Sequence, residues 1–158
     1  MKNLMKILLP VLALGLTFTS CTKDDDNLLG DDTSKQWFFS CDIDGEDYTV
    51  TGLGAYVTDF TDDYTIYGVD NPGNTVYIAL AKGSTEGTYT MGDEIYAYVI
   101  YADGTTYATT YGGGDGTVTI TNYSAEKVSG TFSFTAHNFD NPDETVTVTN
   151  GEFNVEYR

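Results

Sequence analysis

The chain has 158 residues, with 24 acidic side chains against 7 basic ones, one histidine and a formal net charge of −17 at pH 7. A field of that sign repels phosphate backbones and anionic lipid heads, so nucleic acid is excluded as a partner, while cations, neutral sugars and neutral small molecules remain open. Two cysteines are too few for a disulfide framework, so the fold must be held by a core, and the length suits one domain.

Residues 1–20 read as an export signal. Lys2 and Lys6 supply a positive start, Ile7 to Leu16 an apolar centre, and Thr17, Thr19 and Ser20 a small polar exit. The apolar stretch, about ten residues, is too short to cross a bilayer about 30 Å thick as a helix, which makes it a processing segment. Phe18-Thr19-Ser20-Cys21 resembles a lipoprotein processing box, although Phe18 stands where such boxes usually carry Leu. Cleavage before Cys21 and lipidation of that cysteine are the expectation. Loss of Lys2 and Lys6 then leaves 5 basic against 24 acidic residues, and attachment rests on the acyl chains alone.

Residues 21–35 are acidic and polar and cannot bury enough apolar surface to offset the entropy of ordering, so they read as a flexible tether. Within it Lys23, Asp24, Asp25 and Asp26 resemble the lysine-plus-acidic signal with which Bacteroidetes-type lipoproteins reach the outer face of the outer membrane. The expected location is therefore the outer membrane, lipid-anchored and exposed at the cell surface.

From residue 36 to 158 the spacing predicts a single all-β domain. No stretch of ten residues carries helical periodicity; period-two alternation recurs instead. Trp37, Phe39, Cys41 and Ile43 alternate with polar residues. So do Val76, Ile78 and Leu80, then Val118 and Ile120, then Val128, Phe132, Phe134 and Ala136. Asp44-Gly45, Asn71-Pro72-Gly73-Asn74, Ala102-Asp103-Gly104 and Gly112 to Gly116 supply the turns. The expected architecture is an antiparallel meander of about eight to ten strands, forming a β-sandwich or a lipocalin-like barrel. At Gly52 the apolar phase switches from Tyr48 and Val50 to Leu53, Ala55 and Val57, which predicts a bend. Between residues 145 and 157 it switches at Asn150-Gly151, which predicts one long strand with a bulge at Gly151 rather than a hairpin.

The segments Gly116 to Thr121, Lys127 to Ala136 and Thr145 to Val155, the Ile43-Asp44-Gly45 turn and the leader together resemble a family of small all-β Bacteroidetes lipoproteins of uncharacterised function. The resemblance spans most of the chain beyond the leader and implies fold and location. It carries no catalytic or ligand residue.

Chemistry is sparse. His137 lies at a strand end with no nucleophile pattern beside it, and no Gly-x-Ser-x-Gly elbow is present. Cys41 shares the face of Trp37, Phe39 and Ile43 and reads as a small buried hydrophobe. The carboxylates of Asp42, Asp44, Glu46 and Asp47 are dense, but they lack the spacing of a calcium loop and Asp-Gly is good hairpin chemistry. The chain therefore reads as non-catalytic, with no metal and no cofactor expected. Among thirteen tyrosines, Tyr77, Tyr96 and Tyr98 are out of phase with their apolar neighbours, and Tyr107 and Tyr111 are expected to share one face. Exposed rings on a rigid sheet can contact sugars or anchor a protein partner. These five are the candidate contact residues of a surface domain that binds a glycan or a surface protein, or serves as an accessory part of a surface assembly. The alternative is a carrier with a small molecule inside a barrel.

Overall fold

The computed structural model describes residues 37–158. The export signal, the lipidation site Cys21, the tether and its Lys23, Asp24, Asp25 and Asp26 lie outside the described residues.

Among the described residues eleven strands follow one another with short connections: β1 (Phe38–Ile43), β2 (Glu46–Thr51), β3 (Ala55–Asp59), β4 (Asp63–Val69), β5 (Thr75–Ala81), β6 (Gly87–Thr90), β7 (Tyr96–Ile100), β8 (Thr106–Ala108), β9 (Asp115–Tyr123), β10 (Lys127–Asn138) and β11 (Thr145–Tyr157). The domain is all-β, as the alternation predicts, with one strand more than the expected range; β6 and β8 have only four and three residues. All strands join in one sheet of order β2-β1-β11-β3-β4-β5-β7-β8-β10-β9-β6, and β10 also pairs with β11, so the sheet partly closes into a ring. Every pairing is antiparallel except β11 with β3.

Closure depends on the two long strands. Along one edge β11 pairs first with β1, from Val148 to Asn154, and then with β3 at Glu156 and Tyr157. The outer edge of β10 pairs with β9 from Val128 to Thr135 and then with β8 at His137 and Asn138. Each long strand thus serves both halves of the fold, which requires it to bend. The bulge expected at Asn150-Gly151 supplies one bend. Asn150 takes a positive φ of 53°, and both partners of β11 lose a residue of register there, β1 between Ser40 and Asp42 and β10 between Phe132 and Phe134. The extra residue shifts the buried set from Val146 and Val148 to Phe153 and Val155 while keeping a single inner face.

The expected bend at Gly52 is corrected. The strand ends at Thr51, and Gly52–Gly54 forms a 3-10 turn entered with φ of 62° at Gly52. That turn swings Leu53 out of the alternation and leaves it 82 % exposed, and the inner face resumes at Ala55 and Val57.

The inner face is filled. Phe39 lies 4.9 Å from Phe132, and Phe132 lies 6.1 Å from Phe153, ring centre to ring centre. Tyr64, Ile66, Ile78 and Leu80 complete the packing from the opposite half. Tyr48 places its phenol among these groups and donates within reach of the Gly68 and Asn74 carbonyls at 2.7 and 2.9 Å, so its polar end is not orphaned.

Candidate functional site

On the solvent side of β3, β4, β5 and β7, four tyrosines stand in direct register: Tyr56 faces Tyr67, Tyr67 faces Tyr77, and Tyr77 faces Tyr98. Their ring centres are 5.0, 5.5 and 4.8 Å apart, with the first and last pairs nearly parallel. Neighbouring strands sit about 4.8 Å apart, so directly opposed rings stack at the sheet's own spacing. The ladder continues at both ends. The Arg158 guanidinium lies 5.4 Å from the centre of Tyr56. Phe139 meets Tyr98 edge to face, and Tyr111 meets Phe139 in the same way. Because Tyr67 and Tyr77 each have a ring on either side, the ladder turns mostly edges and phenol hydroxyls towards solvent. Burial, followed by the neighbouring Tyr98, Tyr96 and Tyr67 phenols and the Asp63 carboxylate, raises Tyr77 above the ordinary phenol range.

Beside the ladder the surface dips. Thr65 and Ala79 are cross-strand partners on the solvent side, yet they are only 4 % and 1 % exposed. A recess of about 440 Å³ opens above Thr65, walled by Tyr67, Tyr77 and Tyr96 and by the β3–β4 turn from Phe60 to Asp63. Phe60, 47 % exposed, stands at its mouth. The turn is closed by the Phe60 amide donating to the Asp63 carbonyl at 2.8 Å. Lys82 braces it by pairing with the Asp59 carboxylate and bonding the Phe60 carbonyl at 3.0 Å. Asp63 accepts from the Thr65 hydroxyl at 3.4 Å. Burial first, and Asp63 among the further causes, also raises Tyr67 and Tyr96. A larger hollow of about 570 Å³ lies over the bulge on β9, β10 and β11, lined chiefly by Thr117, Thr119, Thr131 and Thr149. Phe132 is the one aromatic ring in that lining, against four in the recess beside the ladder, so the aromatic recess is the stronger candidate.

Of the five tyrosines singled out by alternation, Tyr77, Tyr96, Tyr98 and Tyr111 belong to this strip. Tyr107 does not. It is the cross-strand partner of buried Val99, packs against the core and meets Tyr101 edge to face at 6.0 Å. The expectation that Tyr107 and Tyr111 share a face fails because β8 stops at Ala108, and the turn that follows breaks the parity. Tyr56, Tyr67, Phe60, Phe139 and Arg158 were not singled out. Tyr56 between Ala55 and Val57, and Tyr67 between Ile66 and Gly68, carry the same out-of-phase signal as Tyr77; the register that aligns them does not show in the sequence.

The remaining candidates have structural duties. His137 donates from Nδ1 to the Pro142 carbonyl at 2.7 Å and packs so closely on Gly112 that a β-carbon there would come within 2.6 Å of the ring. Cys41 is 2 % exposed, and burial, with the Asp42 and Asp47 charges adding, pushes its thiol up to about 12; it is no ready thiolate. Asp44 and Gly45 take positive φ values of 52° and 87°, as a tight hairpin requires. The carboxylates at this turn tie it to β11: Asp44 accepts from the Thr147 amide and Asp42 from the Asn150 side chain. Among the described residues no group of three or more His, Cys, Asp or Glu side chains is placed to hold a metal ion.

Residues 36–155 match the family described as a domain of unknown function, DUF6252. No curated protein and no solved structure matches the chain.

Proposed function

We propose, on the premise that the chain belongs to the DUF6252 family of domains of unknown function, that it is a non-catalytic, lipid-anchored cell-surface domain whose ligand is a glycan, bound on the tyrosine-bearing face. The observation that carries this reading is the recess walled by Tyr67, Tyr77 and Tyr96, with exposed Phe60 at its mouth. Apolar ring surface beside hydroxyls and carboxylates suits the CH faces and OH groups of a sugar. The net charge of −17 disfavours an anionic polysaccharide. The rival reading, a carrier with a ligand inside the ring, has to contend with Phe39, Tyr64 and Phe153 filling that space.

The test is retention of the full chain on immobilised glycans. Phe60→Ala and Tyr96→Ala are expected to weaken binding about tenfold or more, since central aromatic anchors carry most of an interface's energy. Leu53→Ala, at the far end of β3, is expected to change nothing. Tyr67 and Tyr77 are poor probes because their loss also removes the ladder's stacking. Glycan binding indifferent to both recess variants would dispose of this site.

Anchoring by lipid on Cys21, and export through Lys23, Asp24, Asp25 and Asp26 to the outer face of the outer membrane, belong to the same proposal. Cells fed a labelled fatty acid are expected to label the wild-type protein and not Cys21→Ser. Equal labelling of both would refute the anchor.

A further inference from the structure

The recess has a charge imbalance that a neutral sugar does not explain. Lys82 stands near its rim, but its ammonium is engaged by the Asp59 carboxylate and the Phe60 carbonyl. Asp62 and Asp63 enter no ion pair among the described residues. Among the described residues the Asp63 carboxylate accepts one side-chain hydrogen bond, from Thr65 of its own strand. Its charge reaches the walls: it is one of the influences that raise Tyr67, Tyr77 and Tyr96, after burial in each case. The result is a concave surface of phenol and phenyl rings with two uncompensated carboxylates on one lip. Tyr67 and Tyr77 turn edges and hydroxyls outward, so the pull on a cation comes from the carboxylates and the phenol oxygens, while Phe60 adds apolar surface beside them; together they suit a cation with apolar substituents. The −17 net charge of the chain adds to the attraction at long range.

Resting on the reading of this face as a glycan-binding surface, we propose that the recess recognises an amino sugar through its free, protonated amine. The ammonium sits among Tyr96, Asp62 and Asp63, and the sugar's apolar face lies against Phe60. An ammonium attached directly to a pyranose ring suits a shallow recess. A lysine side chain carries its charge at the end of a flexible four-carbon stem and needs a deeper slot to hold it. Acetylation of the amine removes the charge and adds bulk where the carboxylates wait.

The experiment is a calorimetric titration of the full chain at a pH of about 6, where an amine of ordinary basicity is protonated and carboxylates are ionised. Three oligosaccharides of one length are compared: a glucosamine tetramer, its fully N-acetylated counterpart and a glucose tetramer. The expected result is that the free-amine oligomer binds at least about tenfold tighter than the acetylated one, with affinity falling as salt is raised. Asp62→Asn, at a side chain that bonds to no other described residue, and Asp63→Asn, which keeps an acceptor for Thr65, are each expected to erase most of that preference. Equal binding of all three oligomers overturns this inference and leaves the glycan reading intact. No binding of any of them, together with no retention on immobilised glycans, removes both. A preference for the free amine that survives both Asn substitutions also overturns the assignment, since the charge would then be read elsewhere.

Discussion

Phe39→Ala is expected to destabilise the domain by about 3–5 kcal/mol, the range for emptying a buried aromatic site. That is a large share of the roughly 5–15 kcal/mol by which domains of this kind exceed their unfolded chains. The ring is fully buried, edge-on to Tyr48 at 6.5 Å and against Phe132 at 4.9 Å, so it links β1, β2 and β10. It also touches the opposite half of the ring through a glycine. A β-carbon on Gly68 of β4 would stand 2.5 Å from Phe39 Cδ1. Gly68→Ala alone should therefore cost about 1–3 kcal/mol by overpacking. In the Phe39→Ala background the obstacle is gone and the added methyl fills part of the void. The double variant should be more stable than the sum of the single effects by about 1 kcal/mol or more. Denaturant unfolding of the three variants measures this, and strict additivity would mean that the two residues do not share space.

Alkali is expected to unfold the protein. Burial raises Tyr48, Tyr64 and Tyr77 above the ordinary phenol range. The native state holds these protons, while the unfolded chain releases them from about pH 10. Below that pH both states are protonated and the contribution to stability is fully present. Above it the unfolded chain binds fewer protons, and stability falls as pH rises through the folded values. Near-ultraviolet circular dichroism followed against pH should show native signal lost together with phenolate absorbance from the buried tyrosines. Tyr64→Phe keeps the ring and removes one titrating group, along with a 3.1 Å bond to the Ser84 carbonyl. Its alkaline midpoint should move upwards. If the native fold instead persists while all thirteen phenols ionise together near pH 10, the linkage is absent.

The two strongest alternating segments illustrate how much of the fold was legible. The β10 strand extends the alternation read from Val128 to Ala136 by one residue at its start and two at its end, and β11 coincides with residues 145–157, because each buries one face along nearly its whole length. The bulge was legible for a related reason. A phase change at Asn-Gly within one apolar face has few solutions, and a positive φ at Asn150 is one of them. Leu53 shows the limit of this logic. A phase change at Gly52 admits either a bend or a break, and the break became visible only with the 3-10 turn in place.

Alternation along the chain determined that this protein would be all-β, which residues of β1, β5, β9, β10 and β11 would face inward, and that Tyr77, Tyr96 and Tyr98 would stand on the other side. Each of these follows from the period-two geometry of a single strand, which is local. Tertiary structure decided how the strands lie beside one another. The alignment of Tyr56, Tyr67, Tyr77 and Tyr98 into one ladder, the removal of Tyr107 from it, and the recess that gathers Phe60, Asp62, Asp63 and Tyr96 all depend on cross-strand register and on where the turns fall. Register is set by pairings between segments far apart in sequence and by closure of the sheet through β10 and β11. No single strand carries that information, so the inward residues could be read one segment at a time while the site could not.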